Sequence, residues 1–152
     1  MASDAAEKLG TEERIKILRA LQESGVRAGL SYSAIVARVV TEIRKTRGFS
    51  QEELAKRAGV TQSSLSRVEQ AETVFNADHA ITYATALGVE PHEIFSIADK
   101  AVFWLRERDL EVAARKASAQ ATILGPGAAS LLIGNVVAGE VFNLISKSRK
   151  KV

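Results

Sequence analysis

Cysteine is absent from this chain of 152 residues. Without a thiol the protein cannot form a disulfide, and it cannot hold a metal ion through thiolate ligands. A chain that needs no disulfide suits a reducing compartment, and its N-terminal stretch MASDAAEKLGTEER lacks the apolar core of a signal peptide. We therefore expect a cytoplasmic protein rather than a secreted one.

Motifs of catalytic and metal centres are missing as well. His79 and His92 lie far apart in the chain, and neither has a cysteine nearby, so they do not form a metal-binding pattern. Gly125 and Gly127 flank a proline without the Lys-Ser/Thr of a phosphate loop, and no nucleophile elbow occurs. We expect no enzyme activity, no catalytic residue, no metal ion and no cofactor.

A strong excess of positive charge is missing from the middle of the chain. Residues 31–99 contain seven Lys and Arg against nine Asp and Glu, whereas residues 100–152 contain nine against four. Nucleic-acid-binding domains are usually basic, so this balance argues weakly against such a role. The basic residues of the middle segment nevertheless cluster, and the cluster consists of Arg44, Lys45, Arg47, Lys56 and Arg57.

What the chain does contain is the stretch GFSQEELAKRAGVTQSSLSRVEQ at residues 48–70. Ser50 and Glu53 have the spacing of a capping box, in which each side chain bonds a free backbone N–H of the same turn. This spacing predicts a helix that begins at about Gln51. Gly59 can adopt the left-handed conformation that ends a helix, so the first helix is short.

A second helix follows directly. Thr61 is a good N-cap, and the helix is expected to run from Gln62 to about Gln70. Leu65 and Val68 fall on one face of this helix, which predicts that this face packs against the first helix. The opposite face is polar and consists of Gln62, Ser63, Ser66 and Arg67.

Two short helices joined by a glycine turn, with small and apolar residues at the crossing, are typical of one DNA-binding motif. The chain resembles the helix-turn-helix family typified by phage repressors, also called Xre or Cro-like regulators. The likeness extends over about residues 33–97, and the matching positions are Gln51, Ala55, Gly59, Val60, Leu65, Val68 and Glu69. The resemblance implies a five-helix domain whose second and third helices form the motif.

The resemblance also implies which side chains would contact DNA. The residues expected at base edges are Gln62, Ser63, Ser66 and Arg67. The residues expected at phosphates are Gln51, Thr61, Ser64, Gln70, Arg47 and Lys56. Arg67 is the most specific of these candidates because a guanidinium can bond both O6 and N7 of guanine. Arg44 and Glu69 match a pair that bridges the first and third helices in some relatives.

The loop after the second helix departs from the family pattern. Relatives commonly have a glycine and a basic, proline-containing loop there, whereas this chain has QAETVF at residues 70–75. Without the glycine, the helix is expected to run longer. One usual phosphate clamp is also missing, and a basic tail is a hypothetical substitute for it, made of Lys147, Arg149, Lys150 and Lys151.

Further helices are predicted on both sides of the motif. Residues 33–46 have a broad apolar stripe that indicates an amphipathic helix ending at Gly48. Asn76 is a good N-cap for a helix closed by Gly88, and Pro91 suits the first turn of another helix. The apolar positions of these three helices are Ile35, Val36, Val39, Val40, Ile43, Ile81, Ala84, Leu87, Ile94, Phe95 and Ile97.

The predicted fold class is all-α. We expect a five-helix phage-repressor-like DNA-binding domain with an N-terminal helix and a helical, apolar C-terminal extension. The division is residues 1–30 as an N-terminal helical extension, 31–99 as the DNA-binding domain and 100–152 as an oligomerisation segment with a basic tail. Within the extensions, residues 11–25 and 100–120 are predicted as helices, and residues 26–31 as a connector.

Residues 121–139 contain no charged side chain, and three interpretations of this segment stay open. A transmembrane helix has the required length, but Pro126, Asn135 and Glu140 interrupt or shorten the span. Alternatively, a stripe of small residues would let two chains pack closely, which is the interpretation we favour. The third possibility is that the segment folds back into the core of its own chain. The expected oligomer interface is Ser130, Leu131, Gly134, Val137, Ala138 and Val141.

Together these features predict a sequence-specific DNA-binding transcriptional regulator that acts as a homodimer or higher oligomer on a palindromic operator. Its expected partners are double-stranded DNA and a second copy of itself, with RNA polymerase or a toxin as further candidates. One alternative is the antitoxin of a toxin-antitoxin pair. Another is a membrane-tethered or self-assembling protein that uses the helix-turn-helix as an interaction module. A bacterial or phage origin and a place on the nucleoid follow from the resemblance alone.

Overall fold

Helices make up most of the structure, a computed structural model that describes residues 11–23, 27–113, 121–123 and 126–149. The helices are α1 (Thr11–Glu23), α2 (Tyr32–Thr46), α3 (Gln51–Ala58), α4 (Gln62–Glu69), α5 (Ala77–Leu87), α6 (Pro91–Arg106) and α7 (Pro126–Arg149). The strands are β1 (Arg27–Ser31), β2 (Glu111–Ala113) and β3 (Ala121–Ile123). The fold is all-α, as predicted, with one small sheet.

Helix α2 is the centre of the fold because it is buried on almost every side. It begins at Ser31, whose hydroxyl accepts a hydrogen bond from the backbone N–H of Ala34 at 3.1 Å. Nine of its 15 residues are buried, including Ile35, Val39 and Ile43 at 0 % exposure. Helices α4, α5, α6 and α7 all contact it. An apolar surface this broad requires partners on opposite sides of the helix.

The helix boundaries predicted from capping residues are confirmed. Asn76 caps α5 by accepting a hydrogen bond from the backbone N–H of His79 at 2.8 Å, and α5 ends at Gly88. Pro91 is the first residue of α6. One side chain on α5 is placed wrongly by the sequence, since Ile81 is 61 % exposed. The other two predicted positions, Ala84 and Leu87, are buried, and Ala80 and Tyr83 are buried beside them.

Helix α7 folds back over the domain and packs against α2 and α6. Ile133, Val137 and Val141 recur every four residues along it, and each is 0 % exposed within one chain. This arrangement is the third possibility for the apolar segment, an intrachain core. The prediction that Val137 and Val141 lie between two chains is therefore wrong, because their own chain already covers them. Among the described helices, none is both long enough and apolar enough to span a bilayer.

The other residues of the predicted oligomer interface lie at the edge of this packing. Ser130, Gly134 and Ala138 are half-buried. Ser130 borders a groove that Arg38 also lines, and a Cβ added at Gly134 would lie 3.8 Å from Nη2 of Arg38. The side chain of Leu131 lies outside the described residues. For these four positions, contact with a second chain stays a prediction.

A small parallel sheet joins the two extensions in the order β2-β1-β3. In the centre of β1, Gly29 pairs with Glu111 on one side and with Ile123 on the other. The prediction of a connector over residues 26–31 is wrong for 27–31. The strand was not recognisable because its five residues, RAGLS, contain a glycine and no β-branched or aromatic side chain.

The helix predicted over residues 100–120 is also shorter than expected. It ends at Arg106, and Asp109 then adopts a left-handed conformation with φ 56°. The chain continues into β2, and residues 114–120 lie outside the described residues. Leu110, whose side chain is buried, is carried by this turn rather than by the helix. Pairing with β1 decides the conformation here, and β1 is about 80 residues away in the sequence.

Candidate nucleic-acid interface

Helix α3 begins at the predicted capping box. The hydroxyl of Ser50 accepts a hydrogen bond from the N–H of Glu53 at 3.1 Å, and the Glu53 carboxylate accepts one from the N–H of Ser50 at 2.7 Å. The bond from the backbone N–H of Ser50 to this carboxylate lowers the pKa of Glu53, because it favours the charged form, and the Ser50 side chain adds to the effect. Gly59 ends the helix at φ 68°, a conformation that glycine adopts without steric cost.

Helix α4 has one buried face and one free face. Its N-cap is Thr61, whose hydroxyl accepts a hydrogen bond from the N–H of Ser64 at 3.1 Å. Leu65 is 0 % and Val68 is 3 % exposed, so both residues fix the helix against the core. The helix is therefore held by its apolar side and by its cap, which leaves its polar side available to a partner.

The polar side carries the residues predicted to contact bases. Gln62 and Ser63 are exposed, and the side chain of Arg67 keeps 69 % of its surface accessible. Ser66 is half-buried, and its hydroxyl accepts a hydrogen bond from the Gln70 amide at 3.2 Å. These side chains share one face of α4 in the structure, as predicted from the sequence.

A buried ion pair supports this face from behind. Glu69 accepts hydrogen bonds from Nε of Arg44 at 2.7 Å and from Nη2 at 3.1 Å. The two side chains are only 11 % and 5 % exposed, and the same guanidinium donates to the carbonyl of Phe49 at 2.8 Å. The pair connects α2 to α4, as expected from the resemblance. The negative charge of Glu69 adds to burial in raising the pKa of Tyr83.

Gln51 belongs to the same network. Its amide donates one hydrogen bond to Glu69 at 2.8 Å, so only one N–H of that amide is left for a phosphate. Lys56 and Gln70 are exposed. Thr61 and Ser64 bond each other through their hydroxyls at 2.9 Å. These five predicted phosphate contacts lie on α3 or α4 or at their ends, as a phosphate-binding edge requires.

Arg47 is the predicted phosphate contact that the structure places elsewhere. Its Nη2 donates to the carbonyl of Gly88 at 3.3 Å, at the end of α5. Its Nε is buried and has no hydrogen-bond partner among the described residues. The guanidinium is thus drawn toward the free carbonyls at the C-terminus of a neighbouring helix. This placement corrects the expectation that Arg47 lies on the phosphate-binding edge.

The end of α4 differs from the prediction of a longer helix. The helix stops at Glu69, and Ala71 adopts the left-handed conformation with φ 55° in place of the missing glycine. As a result the N–H of Glu72 donates to the carbonyl of Arg67 at 2.9 Å. The Glu72 carboxylate lies 3.8 Å from Nε of Arg67. Glu72 was missed from the sequence because nothing local signalled a helix end at this point.

Little of the basic tail belongs to the described residues. The side chain of Lys147 is described and exposed, whereas the side chain of Arg149 and the whole of Lys150 and Lys151 lie outside the described residues. The idea that this tail replaces the missing clamp therefore stays a prediction.

Comparison with known families gives a direct match for this region. The helix-turn-helix family model matches residues 40–94, from the second half of α2 to the first turn of α6. The matched residues are similar to a helix-turn-helix domain of the Xre/Cro-like kind, and they include both helices of the motif, α3 and α4. Neither a curated protein nor a solved structure matches the chain significantly.

The match agrees with the site built up from the residues. A helix-turn-helix domain of this kind indicates a DNA-binding regulator, and in this domain α4 occupies the position of the second motif helix. Among the described helices, α1 and α7 lie wholly outside residues 40–94, so the match does not cover them.

Proposed function

We propose that the protein is a sequence-specific DNA-binding transcriptional regulator that reads the major groove with α4. The observation that carries this proposal is the division of α4 into two faces. Leu65 and Val68 pack one face into the core, while Gln62, Ser63 and Arg67 are exposed on the other. A rigid helix with an exposed polar face fits the major groove of B-form DNA, which admits one α-helix.

The chemistry of the exposed side chains suits base recognition. The Arg67 guanidinium can donate two hydrogen bonds to O6 and N7 of guanine, and the Gln62 amide can bond N6 and N7 of adenine. Ser63 and Ser66 can donate to or accept from either kind of base. A good bidentate contact discriminates against a wrong base by about 1 to 3 kcal/mol, so Arg67 would contribute most of the readout at its position.

Phosphate contacts would set the register of the helix on the duplex. The N-terminus of α3 presents backbone N–H groups and the remaining N–H of Gln51, which together favour an anion. Lys56 adds a mobile positive charge on the same helix. Thr61, Ser64 and Gln70 would contact the backbone from the two ends of α4.

A regulator of this kind would work as a symmetric pair. Two copies related by a two-fold axis would place their α4 helices about 34 Å apart, one turn of DNA, on an inverted repeat. The half-buried edge of α7 at Ser130, Gly134 and Ala138 is a candidate contact between copies. Occupation of a promoter by such a pair would alter access of RNA polymerase, in the cytoplasm and on the nucleoid.

Selection from a random pool of DNA tests the proposal. The full chain is incubated with the pool at about 150 mM salt, where non-specific electrostatic binding is weakened. Wild type, Arg67→Ala and the control Arg106→Ala are selected in parallel, because Arg106 is also exposed but lies at the end of α6. We expect wild type and the control to enrich one inverted repeat, and Arg67→Ala to lose definition at one base pair of each half-site.

Enrichment of no sequence by wild type would overturn the proposal. If the protein also eluted as a large assembly in that case, the helix-turn-helix would be an interaction module. Loss of definition at every position in Arg67→Ala would instead show that the variant had lost affinity as a whole, and Arg67 would not be a base reader.

A further inference from the structure

A carboxylate stands beside the arginine that we propose as the main base reader. Oε2 of Glu72 lies 3.8 Å from Nε of Arg67, and the two side chains are 53 % and 69 % exposed. At this exposure the ion pair adds little to the stability of the fold. A negative charge on a surface that faces DNA also opposes binding to phosphates. An acidic residue at this place therefore needs an explanation other than stability or affinity.

The backbone, rather than the ion pair, determines where this carboxylate lies. Ala71 reverses the chain at φ 55° immediately after α4. The N–H of Glu72 then donates to the carbonyl of Arg67 at 2.9 Å, and the N–H of Thr73 lies 3.4 Å from the same oxygen. The main chain of Glu72 is thus hydrogen-bonded to the main chain of Arg67, the residue whose side chain its carboxylate faces. The backbone of Glu72 therefore places the origin of its side chain next to Arg67.

The side of the guanidinium that Glu72 contacts matters for recognition. Glu72 approaches Nε, so the two terminal nitrogens of Arg67 stay free. Those two nitrogens form the fork that matches a pair of acceptors in one plane. At 3.8 Å the contact is longer than a hydrogen bond, so the carboxylate acts on the guanidinium through electrostatic attraction. This attraction favours orientations in which Nε faces Glu72 and the fork is directed away from it.

We propose that Glu72 is a specificity-determining residue of the DNA interface. It positions the Arg67 guanidinium for a single guanine, and its charge weakens binding to DNA in which that guanine is missing. The inference rests on the proposed function, since it requires that Arg67 contacts a base. It goes beyond that function by naming a residue outside α4 that decides how selective the contact is.

The test compares Glu72→Gln with wild type, Arg67→Ala, the double variant and the control Glu107→Gln. Glu107 is exposed and follows α6, so the control removes the same charge at a distance from Arg67. Binding of each full-length protein is measured on the selected operator, on the operator changed at the base pair that Arg67→Ala identifies, and on a scrambled duplex. Thermal unfolding is recorded for each protein, and we expect Glu72→Gln to leave the midpoint unchanged.

We expect Glu72→Gln to reduce discrimination at the Arg67 base pair at least about threefold, a part of what a bidentate contact supplies. It should also bind the scrambled duplex about threefold more tightly at low salt, as expected for one charge several ångströms from a phosphate. In the Arg67→Ala background the same substitution should leave discrimination at that base pair unchanged. Glu107→Gln should change neither quantity.

Three results would overturn the inference. If Glu72→Gln leaves discrimination at the Arg67 base pair intact, Glu72 does not position Arg67. If it changes preference at another base pair, Glu72 reads a base directly. If its effect on discrimination at that base pair persists in the Arg67→Ala background, Glu72 does not act through Arg67. In each case, a loss of sequence definition at one base pair in Arg67→Ala would still support the proposed function. The absence of any selected operator would overturn both the proposed function and the inference about Glu72.

Discussion

Two Arg–Glu ion pairs in this domain differ in burial and therefore in their contribution to stability. Arg44 and Glu69 are nearly buried and make two hydrogen bonds to each other. Arg67 and Glu72 lie on the surface, with more than half of each side chain exposed. Removal of one partner from a buried pair leaves an uncompensated charge in a poorly solvated place, while water replaces a lost surface partner.

We therefore predict that Glu69→Ala lowers the free energy of unfolding by about 3 kcal/mol. The substitution leaves the Arg44 guanidinium buried without its carboxylate, and it also removes the acceptor of the Gln51 amide. The matched variant Glu72→Ala should change the free energy by less than about 0.5 kcal/mol. Urea denaturation of both proteins measures the difference. Equal losses would contradict the distinction between the two pairs.

Ala71 carries backbone strain that a glycine would relieve. An alanine in the left-handed region at φ 55° crowds its Cβ against the backbone, whereas glycine has no Cβ. We predict that Ala71→Gly raises the free energy of unfolding by about 0.5 to 1 kcal/mol. The same exchange inside a helix, Ala86→Gly in α5, should lower it by a similar amount. Denaturation midpoints in urea that moved in the same direction for both variants would exclude this explanation.

Neighbouring residues determine where the helices begin and end, whereas contacts between distant parts of the chain determine where a helix packs. Helix ends are determined within one turn, as Ser50 with Glu53 and Asn76 with His79 illustrate. The position of α7 depends on α2, a helix about 100 residues earlier in the chain. Its apolar character alone fits a membrane, a second chain or its own core. The choice between them depends on the apolar surface that α2 leaves uncovered.

The packing of α7 gives a sharp prediction. Ile133→Ala should lower the free energy of unfolding by about 3 kcal/mol, because it leaves a cavity at a side chain that is now fully buried. Phe142→Ala removes a larger side chain from the same helix, but Phe142 is 66 % exposed, so we expect a change of less than about 0.5 kcal/mol. Chemical denaturation compares the two variants with wild type.

The dependence of stability on protein concentration distinguishes packing of α7 within its own chain from packing between two chains. If Ile133 packs within its own chain, the difference between Ile133→Ala and wild type stays the same in dilute and concentrated samples. A difference that vanished on dilution below the dissociation constant of an oligomer would place Ile133 between chains. That outcome would contradict the intrachain core.

At the scale of the whole molecule, charge is distributed unevenly. The chain has a net charge of +3, yet the segment that holds the motif is slightly acidic, with nine acidic and seven basic residues over 31–99. The structure reduces the basic residues available to DNA further, because Arg44 is bound to Glu69 and Arg47 to Gly88. We therefore expect each copy to neutralise few phosphates through side-chain charge.

The salt dependence of DNA binding tests this view. Each neutralised phosphate contributes about −0.9 to the slope of log K against log salt concentration. Lys56→Gln should weaken binding to all sequences and reduce the magnitude of the slope by about 1 per copy. Arg47→Gln should leave the slope unchanged and lower the free energy of unfolding by about 1 kcal/mol, because it loses the hydrogen bond to Gly88. A reduced slope in Arg47→Gln would return Arg47 to the phosphate-binding edge.

The candidate site could be predicted to the extent that it lies on one helix. The polar face of α4 follows from the spacing of Gln62, Ser63, Ser66 and Arg67, and the structure keeps these residues on one face. Arg47 and Glu72 could not be placed in the same way. The first depends on where the end of α5 lies, and the second on a helix end that alanine rarely permits.

Residue types and their spacing specified the helices of the motif, their caps and the exposed polar face of α4. These features depend on contacts between residues at most about five positions apart, and such contacts are encoded directly in residue types and spacing. Only the tertiary structure decided that α7 covers α2, that β1 pairs with β2 and β3, and that Arg47 bonds to Gly88. Each of these outcomes depends on surfaces far apart in the chain, which acquire a partner only when the whole domain packs.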